Sequence, residues 1–235
     1  MRIRITILGT GTLAEALGRR WARAGHEITV AGRSVEKAQQ LAQRLGAGAR
    51  AVPLAEIAAG AAGEDFGPDA EAATDTAAGA EAVLLAVAYT GVEEILRAVG
   101  APRGALSGLT VIDATNAIDH GVGVLRLPPG TSHAQRVVEL APGARVVKAF
   151  HLFPSEQWAA ADTGATHLPP SVTICGDDPA ALRTTEQLVR DVGAEPVVLG
   201  GLDRARQLEE AAGFVISLAF SGVDPSRAVP AMPAQ

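Results

Sequence analysis

Apolar residues in the first part of the chain switch between two periods. Ile3, Ile5, Ile7 and Leu8 stand in near alternation and run into Gly9, the pattern of a strand with a turn behind it. Leu13, Leu17, Trp21 and Ala24 follow at helical spacing and predict a helix from Thr12 to Ala24, stopped by Gly25. Ile28–Ala31 predicts a second strand. Ser34 then reads as the N-cap of a helix with Val35, Ala38, Leu41 and Leu45 on its inner face and Gly46 at its end.

The stretch from 55 to 80 is less regular. It predicts a short helix, a surface loop around Phe66-Gly67-Pro68 and a minor strand near Ala72–Thr74. Regularity returns with strands at Ala82–Val87, Leu109–Ile112 (ending at Asp113) and Ala144–Ala149. Between them lie a helix carrying Val92, Ile95, Leu96 and Val99 and another from Ser132 to Leu140. Strand–helix alternation of this kind implies right-handed crossovers and an α/β fold with a doubly wound, mostly parallel sheet.

Beyond residue 150 the scheme repeats once: strand Val172–Cys175, a helix from Pro179 behind Asp178, strand Pro196–Leu199 and a helix near Leu202–Phe220. The expected organisation is one domain over 1–222, with a core at 1–150 and a short α/β extension at 151–222. A flexible tail is expected at 223–235, and there is no room for a large helical second domain.

Composition narrows the function classes. The formal charge is −6 and no basic stripe stands out, which argues against a nucleic-acid partner. Cys175 is the single cysteine, excluding an intrachain disulfide, and its apolar setting reads as a buried strand. His26, His120, His133 and His167 show no metal-ligand spacing, so no metal is expected. Apolar runs are too short to span a bilayer and the start lacks a secretory pattern, so a cytoplasmic protein without membrane contact is expected.

Chemistry enters at Gly9-Thr10-Gly11-Thr12-Leu13-Ala14, a G-x-G-x-x-A turn between a strand and a helix. In a dinucleotide site the first glycine makes the tight turn, the second lets the backbone approach a pyrophosphate, and the alanine lets helix and strand pack closely. The helix N-terminus then offers unpaired N–H groups to the diphosphate. An NAD site usually ends its second strand with a carboxylate for the ribose hydroxyls. Here Ala31-Gly32-Arg33-Ser34 stands instead, with no acid until Glu36. A guanidinium pairs with a 2′-phosphate that an acid would repel, so NADP(H) is the expected cofactor. Arg33, Ser34 and Lys37 are its candidate phosphate ligands.

The reacting end should border the stops of later strands, at Val87-Ala88-Tyr89-Thr90, Asp113-Ala114-Thr115-Asn116 and Ala149-Phe150-His151. Tyr89 or Phe150 could stack on a flat substrate or serve as core or rim aromatics. Asn116 could bond an amide or ribose, or be a turn residue. His151 could bond a substrate oxygen or donate a proton, or be a structural histidine.

These segments resemble the family of NADPH-dependent reductases of the 8-hydroxy-5-deazaflavin coenzyme F420. The similarity runs from Ile5 to about Glu210 and rests on residues 7–38, VIDATN at 111–116, VVKAFH at 146–151 and ICGDDPAA at 174–181. The resemblance implies a Rossmann fold with Thr10, Thr12 and Leu13 at the diphosphate. It puts Arg33, Ser34 and Lys37 at the 2′-phosphate, and Val87, Ala88 and Ala149 beside the nicotinamide. Gly32 stands where family members carry serine, and Ala88 where proline is common. The segment His151–Trp158 and the insertion around Phe66 also depart from the family's archaeal members.

With a deazaflavin as acceptor, hydride would pass directly between stacked rings and no general acid is needed. A reductase of a small imine or carbonyl would need a proton donor, for which His151 and Tyr89 are the candidates. A third reading is a non-catalytic NADP sensor. The apolar last helix around Phe214–Phe220 could serve a homodimer or simply cover the sheet.

Overall fold

A computed structural model of the chain describes residues 1–61, 79–119, 121–160 and 169–228. The sheet comprises β1 (Arg4–Leu8), β2 (Glu27–Ala31), β3 (Arg50–Ala51), β4 (Ala82–Leu85), β5 (Thr110–Asp113), β6 (Arg145–Lys148), β7 (Ser171–Gly176) and β8 (Glu195–Gly200). Their order across the sheet is β3-β2-β1-β4-β5-β6-β7-β8. Every neighbouring pair is parallel except β6 and β7.

The helices are α1 (Thr12–Arg23), α2 (Val35–Leu45), α3 (Leu54–Ala61), α4 (Val92–Ala98), α5 (His133–Leu140), α6 (Ser155–Ala160), α7 (Pro179–Asp191) and α8 (Ala205–Phe220). Alternate residues of the central strands feed opposite faces. Ile5, Ile7, Leu84 and Ile112 pack with Leu17, Trp21, Leu41 and Leu188 on the face that α1, α2 and α7 cover. Leu8, Val83, Leu85 and Val111 pack with Val92, Leu96, Val137 and Leu208 on the other. Burial on both faces is why these strands read as nearly unbroken apolar runs.

Helix caps form at Ser34 and Asp178, where the sequence places them, and a further one forms at Ser132, which the sequence reading put inside its helix. Ser34 Oγ accepts from the Lys37 N–H, Asp178 accepts from Ala181 N–H, and Ser132 makes a reciprocal capping box with Gln135.

Three features differ from the sequence expectation. A two-residue strand, β3, pairs with β2 just after α2, where no strand is expected; the strand expected at Ala72–Thr74 lies outside the described residues. The fourth strand stops at Leu85, so Ala86–Ala88 become loop beyond the sheet edge. Finally, β7 runs antiparallel to β6 rather than continuing the parallel order. The connection between them carries one short helix among the described residues, α6, of six residues and about 9 Å.

Side chains of α1 bind the extension to the core. Trp21 is fully buried, its Nε1–H donates to the Leu188 carbonyl at 2.9 Å, and its ring meets Phe150 edge-on at 5.8 Å. Phe150 in turn meets Trp158 of α6 edge-on at 5.7 Å. His26 accepts from the Ile3 N–H at 3.0 Å through Nδ1, so its Nε2–H donates to Asp191, 2.8 Å away. Arg20 Nε donates to the Trp158 carbonyl at 2.6 Å and Nη1 to the Val192 carbonyl at 3.1 Å. The far end of α8 leaves Phe214 and Phe220 exposed.

None of the helices among the described residues is long and apolar enough to cross a membrane. Replacing Trp21 by alanine removes a buried indole from the joint between core and extension. It is expected to cost about 3–5 kcal/mol, measured by urea unfolding; a loss below about 1 kcal/mol would show that α1 does not carry this joint.

Candidate functional site

Strand order reverses at β1, which pairs with β2 on one side and β4 on the other. Chain segments leaving the carboxyl ends of these strands therefore diverge and leave a crevice there. Gly9 sits at its floor with φ +136°, and a Cβ at this position would run into the Ala86 carbonyl oxygen. Its N–H donates to the Ala31 carbonyl at 2.8 Å, while the Ala86 N–H donates to the Leu8 carbonyl at 2.9 Å. The turn is thus clamped between the ends of β2 and β4 and admits no side chain.

Gly11 is the N-cap of α1 and supplies no side-chain cap, in contrast to Ser34, Ser132 and Asp178 on their helices. A Cβ on Gly11 would meet no atom within 4 Å, so the first-turn N–H groups are open to approach. Ala14 is fully buried against the sheet, as the close packing of α1 requires.

A cleft of about 260 Å³ joins three loops at this edge. Gly9 and Thr10 come from the first, Gly32, Arg33 and Ser34 from the second with Lys37 from the first turn of α2 behind it, and Val87 and Ala88 from the third. Seven residues proposed from sequence, Gly9, Thr10, Arg33, Ser34, Lys37, Val87 and Ala88, therefore line one cleft. Thr90, Gly91, Glu94 and Ile95 complete the wall. Arg33 Nη1 lies 3.3 Å from Glu94 Oε2, and Ser34 Oγ donates to Glu36 Oε2 at 2.8 Å. The Glu36 carboxyl is held below its usual range by its own backbone N–H and by Ser34.

Other sequence candidates fall elsewhere. Thr12 Oγ1 accepts from Ser155 Oγ at 3.1 Å and lines a separate groove between α1 and α6, about 460 Å³ in volume. Leu13 packs onto the core beneath the turn. Tyr89 follows Ala88, but its ring stands edge-on against His133 at 6.1 Å.

Asn116, Ala149 and His151 gather at the ends of β5 and β6. Asn116 Nδ2 donates to the His151 carbonyl at 2.6 Å, leaving its Oδ1 without a partner among the described residues, and the Ala149 side chain is fully buried. His151 is 6% exposed, and burial, with the Lys148 charge behind it, pushes its imidazole down to about 3. None of these three lines the Arg33 cleft.

Below them lies an ionic cluster that sequence reasoning missed. Lys148, Asp113 and Glu209 are fully buried; Lys148 Nζ is 3.0 Å from Asp113 Oδ2 and 2.9 Å from Glu209 Oε1, and it also donates to the Thr115 carbonyl. Thr115 donates its hydroxyl proton to Asp113 at 2.6 Å, so the contact with His133 Nδ1 at 2.8 Å is donated by the imidazole. Glu209 accepts from the first N–H groups of α5, His133 at 2.8 Å and Ala134 at 3.1 Å. Against desolvation, the Lys148 charge holds the Asp113 carboxyl well below its ordinary range, and the two carboxylates raise Lys148. The signal available in the sequence was a lone lysine inside the apolar run Val146–Phe150 and an aspartate closing Val111–Ile112.

Cys175 is buried, and desolvation pushes its thiol up to about 12, which leaves it without nucleophilic character. Among the described residues no group of three or more His, Cys, Asp or Glu could hold a metal ion; His120 and His167 lie outside them.

Replacing Lys148 by methionine strands two buried carboxylates and should cost about 3–5 kcal/mol by chemical unfolding at neutral pH. A neutral or stabilising outcome would mean that the cluster relaxes to water. Acid should destabilise the protein in a defined window. His151 resists protonation when folded, to about 3, but takes up a proton near 6.5 when unfolded. Stability therefore falls by about 1.4 kcal/mol per pH unit as pH drops below that value. Asp113, depressed when folded, adds its loss only below the ordinary carboxylate range. His151→Gln should flatten the upper part of this slope in pH-dependent urea titrations; an unchanged slope would refute the assignment.

A family model described as NADP oxidoreductase, coenzyme F420-dependent, matches residues 4–117. Metalloreductase STEAP3 of Rattus norvegicus is 32% identical over 104 residues, covering 44% of this chain and 20% of that protein. The chain thus matches about a fifth of the length of this curated relative. Among solved structures, a protein provisionally assigned as an F420-dependent NADP-reductase from Arthrobacter sp. FB24 is 25% identical. It has a TM-score of 0.73, with 94% of this chain and 96% of that one covered. A hypothetical protein of Sinorhizobium meliloti is 28% identical with a TM-score of 0.66, covering 87% and 88%. The reductive aminase of Aspergillus terreus, solved with NADPH, shares the fold at 20% identity and a TM-score of 0.60, covering 94% of this chain and 64% of that one. Residues 4–117, which carry the glycine turn, Arg33 and the third loop of the cleft, are thus similar to the family of coenzyme F420-dependent NADP oxidoreductases.

Proposed function

We propose that the protein binds NADP(H) at the Gly9–Arg33 cleft and transfers hydride between it and a deazaflavin coenzyme of the F420 type. The observation that carries this reading is the cleft itself. A turn that tolerates no Cβ, an uncapped helix N-terminus, a loop bearing Arg33 and Ser34, and Lys37 in the first turn of α2 converge at the carboxyl edge of the sheet. The diphosphate would lie on the first-turn N–H groups of α1, and the 2′-phosphate on Arg33, Ser34 and Lys37. Val87 and Ala88 would bound the path toward the reacting end. When bound there, NADPH supplies the hydride and needs no metal for it.

The choice of acceptor draws on the family description and on the near full-length likeness to the Arthrobacter protein. It also draws on the histidine. At neutral pH a His151 imidazole depressed to about 3 has no acidic proton to give, as reduction of an imine or carbonyl would ask of it. In this reading the neutral ring positions rather than protonates. Asn116, through its bond to the His151 carbonyl, holds the β5 and β6 loops together beside the reacting end.

NADPH oxidation by the purified protein should require the deazaflavin, with NADH a poor substitute. Arg33→Ala should raise KM for NADPH roughly 10- to 100-fold, as expected for loss of charge-assisted hydrogen bonds, and leave NADH kinetics within about threefold. Turnover of NADPH with a small carbonyl or imine but none with the deazaflavin would overturn the acceptor. Equal use of NADH would overturn the cofactor.

A further inference from the structure

The wall of the cleft holds one carboxylate, Glu94, in the first turn of α4. It faces Arg33 across the opening, with Arg33 Nη1 and Glu94 Oε2 3.3 Å apart. Both side chains are largely exposed, at 73% and 63%, so water and salt screen the pair and it opens at little cost. The cations lining the same wall are Arg33 and Lys37, and its other polar side chains are Thr10, Ser34 and Thr90. A carboxylate in this place meets the guanidinium that a 2′-phosphate would use, but from α4 rather than from the end of β2.

We propose that Glu94 sets the degree of discrimination between the two nicotinamide dinucleotides by competing with the 2′-phosphate for Arg33. This rests on the cofactor reading above. A phosphate group offers Arg33 a bidentate, more highly charged partner than Glu94 and displaces it. The displaced carboxylate stays on the cleft wall, fixed by its helix, and repels the phosphate that has replaced it. Both effects subtract from NADP(H) affinity. A dinucleotide with a free 2′-hydroxyl suffers neither, because Glu94 keeps its pair or accepts from that hydroxyl. Glu94 therefore lowers a preference that Arg33 creates, which makes it a specificity-determining residue on an element outside the dinucleotide turn.

Glu94→Gln keeps the shape and removes the charge. Titrations of NADP+ and NAD+ into the full chain, followed by calorimetry, should show NADP+ binding roughly three- to tenfold tighter in Glu94→Gln than in the parent. NAD+ should change by less than about twofold, and the gain for NADP+ should shrink as salt is raised. Glu94→Ala, which also removes the charge, should shift the ratio in the same direction. An unchanged NADP+ to NAD+ ratio in both variants would overturn the proposal, as would weaker NADP+ binding, which would mean that Glu94 orients the guanidinium for the phosphate. If the parent protein shows no preference for NADP+, the cofactor reading itself fails, and the variants are not needed to see it.

Discussion

Backbone approaches backbone at Gly9, and the rest of the cleft is arranged around that contact. The residue lies between the ends of β2 and β4, bonded to Ala31 on one side and lacking space for a Cβ against Ala86 on the other. Because the approach is close, α1 starts directly over the sheet edge and presents uncapped N–H groups there. It also brings the loop after β2 within reach of the loop after β4, so that Arg33 faces Glu94 across a narrow opening. A side chain at Gly9 would run into the Ala86 carbonyl and push these segments apart, so a single glycine governs both the proposed diphosphate turn and the proposed site for the distal phosphate.

A second constraint acts at the other end of the crevice. Lys148, Asp113 and Glu209 are buried together, an arrangement whose desolvation is costly and whose attraction is returned only when the geometry is well made. The cluster draws β5, β6, the loop at Thr115, the start of α5 and the N-terminal part of α8 to one point. An apolar core of equal volume often stabilises as well, so what the cluster adds is the set of directed contacts that tie these segments together. The neutral His151 and the Asn116 bridge sit directly on this base. Buried charge thus fixes the loops after β5 and β6, while the proposed contacts to a cofactor phosphate rest on the solvated charges at Arg33 and Glu94.

Much of this was legible in the chain. Periodicity located β1, α1, β2, α2 and the caps Ser34 and Asp178, because local spacing and capping chemistry are properties of short segments. Seven members of the Arg33 cleft were also readable, since three strand ends of a doubly wound sheet must meet at one edge. The reversal of β7 was not readable, because pairing direction depends on the connection, and six-residue α6 carries too little periodicity to announce itself. The partner of Lys148 was hidden for a related reason. Glu209 lies 61 residues away on a helix, and nothing in the local pattern of either residue names the other. Glu94 escaped notice because an acid in the first turn of a helix has an ordinary explanation there.

In the proposed binding mode Arg33 anchors an extra phosphate on the adenosine side of the cofactor. The most direct measurement is a crystal structure of the full chain soaked or grown with NADP+. The account predicts the 2′-phosphate within hydrogen-bond distance of the Arg33 guanidinium and of Ser34, with the diphosphate on the N-terminus of α1. A complex in which Arg33 points away from the ribose, or in which the dinucleotide lies in the α1–α6 groove, would contradict it.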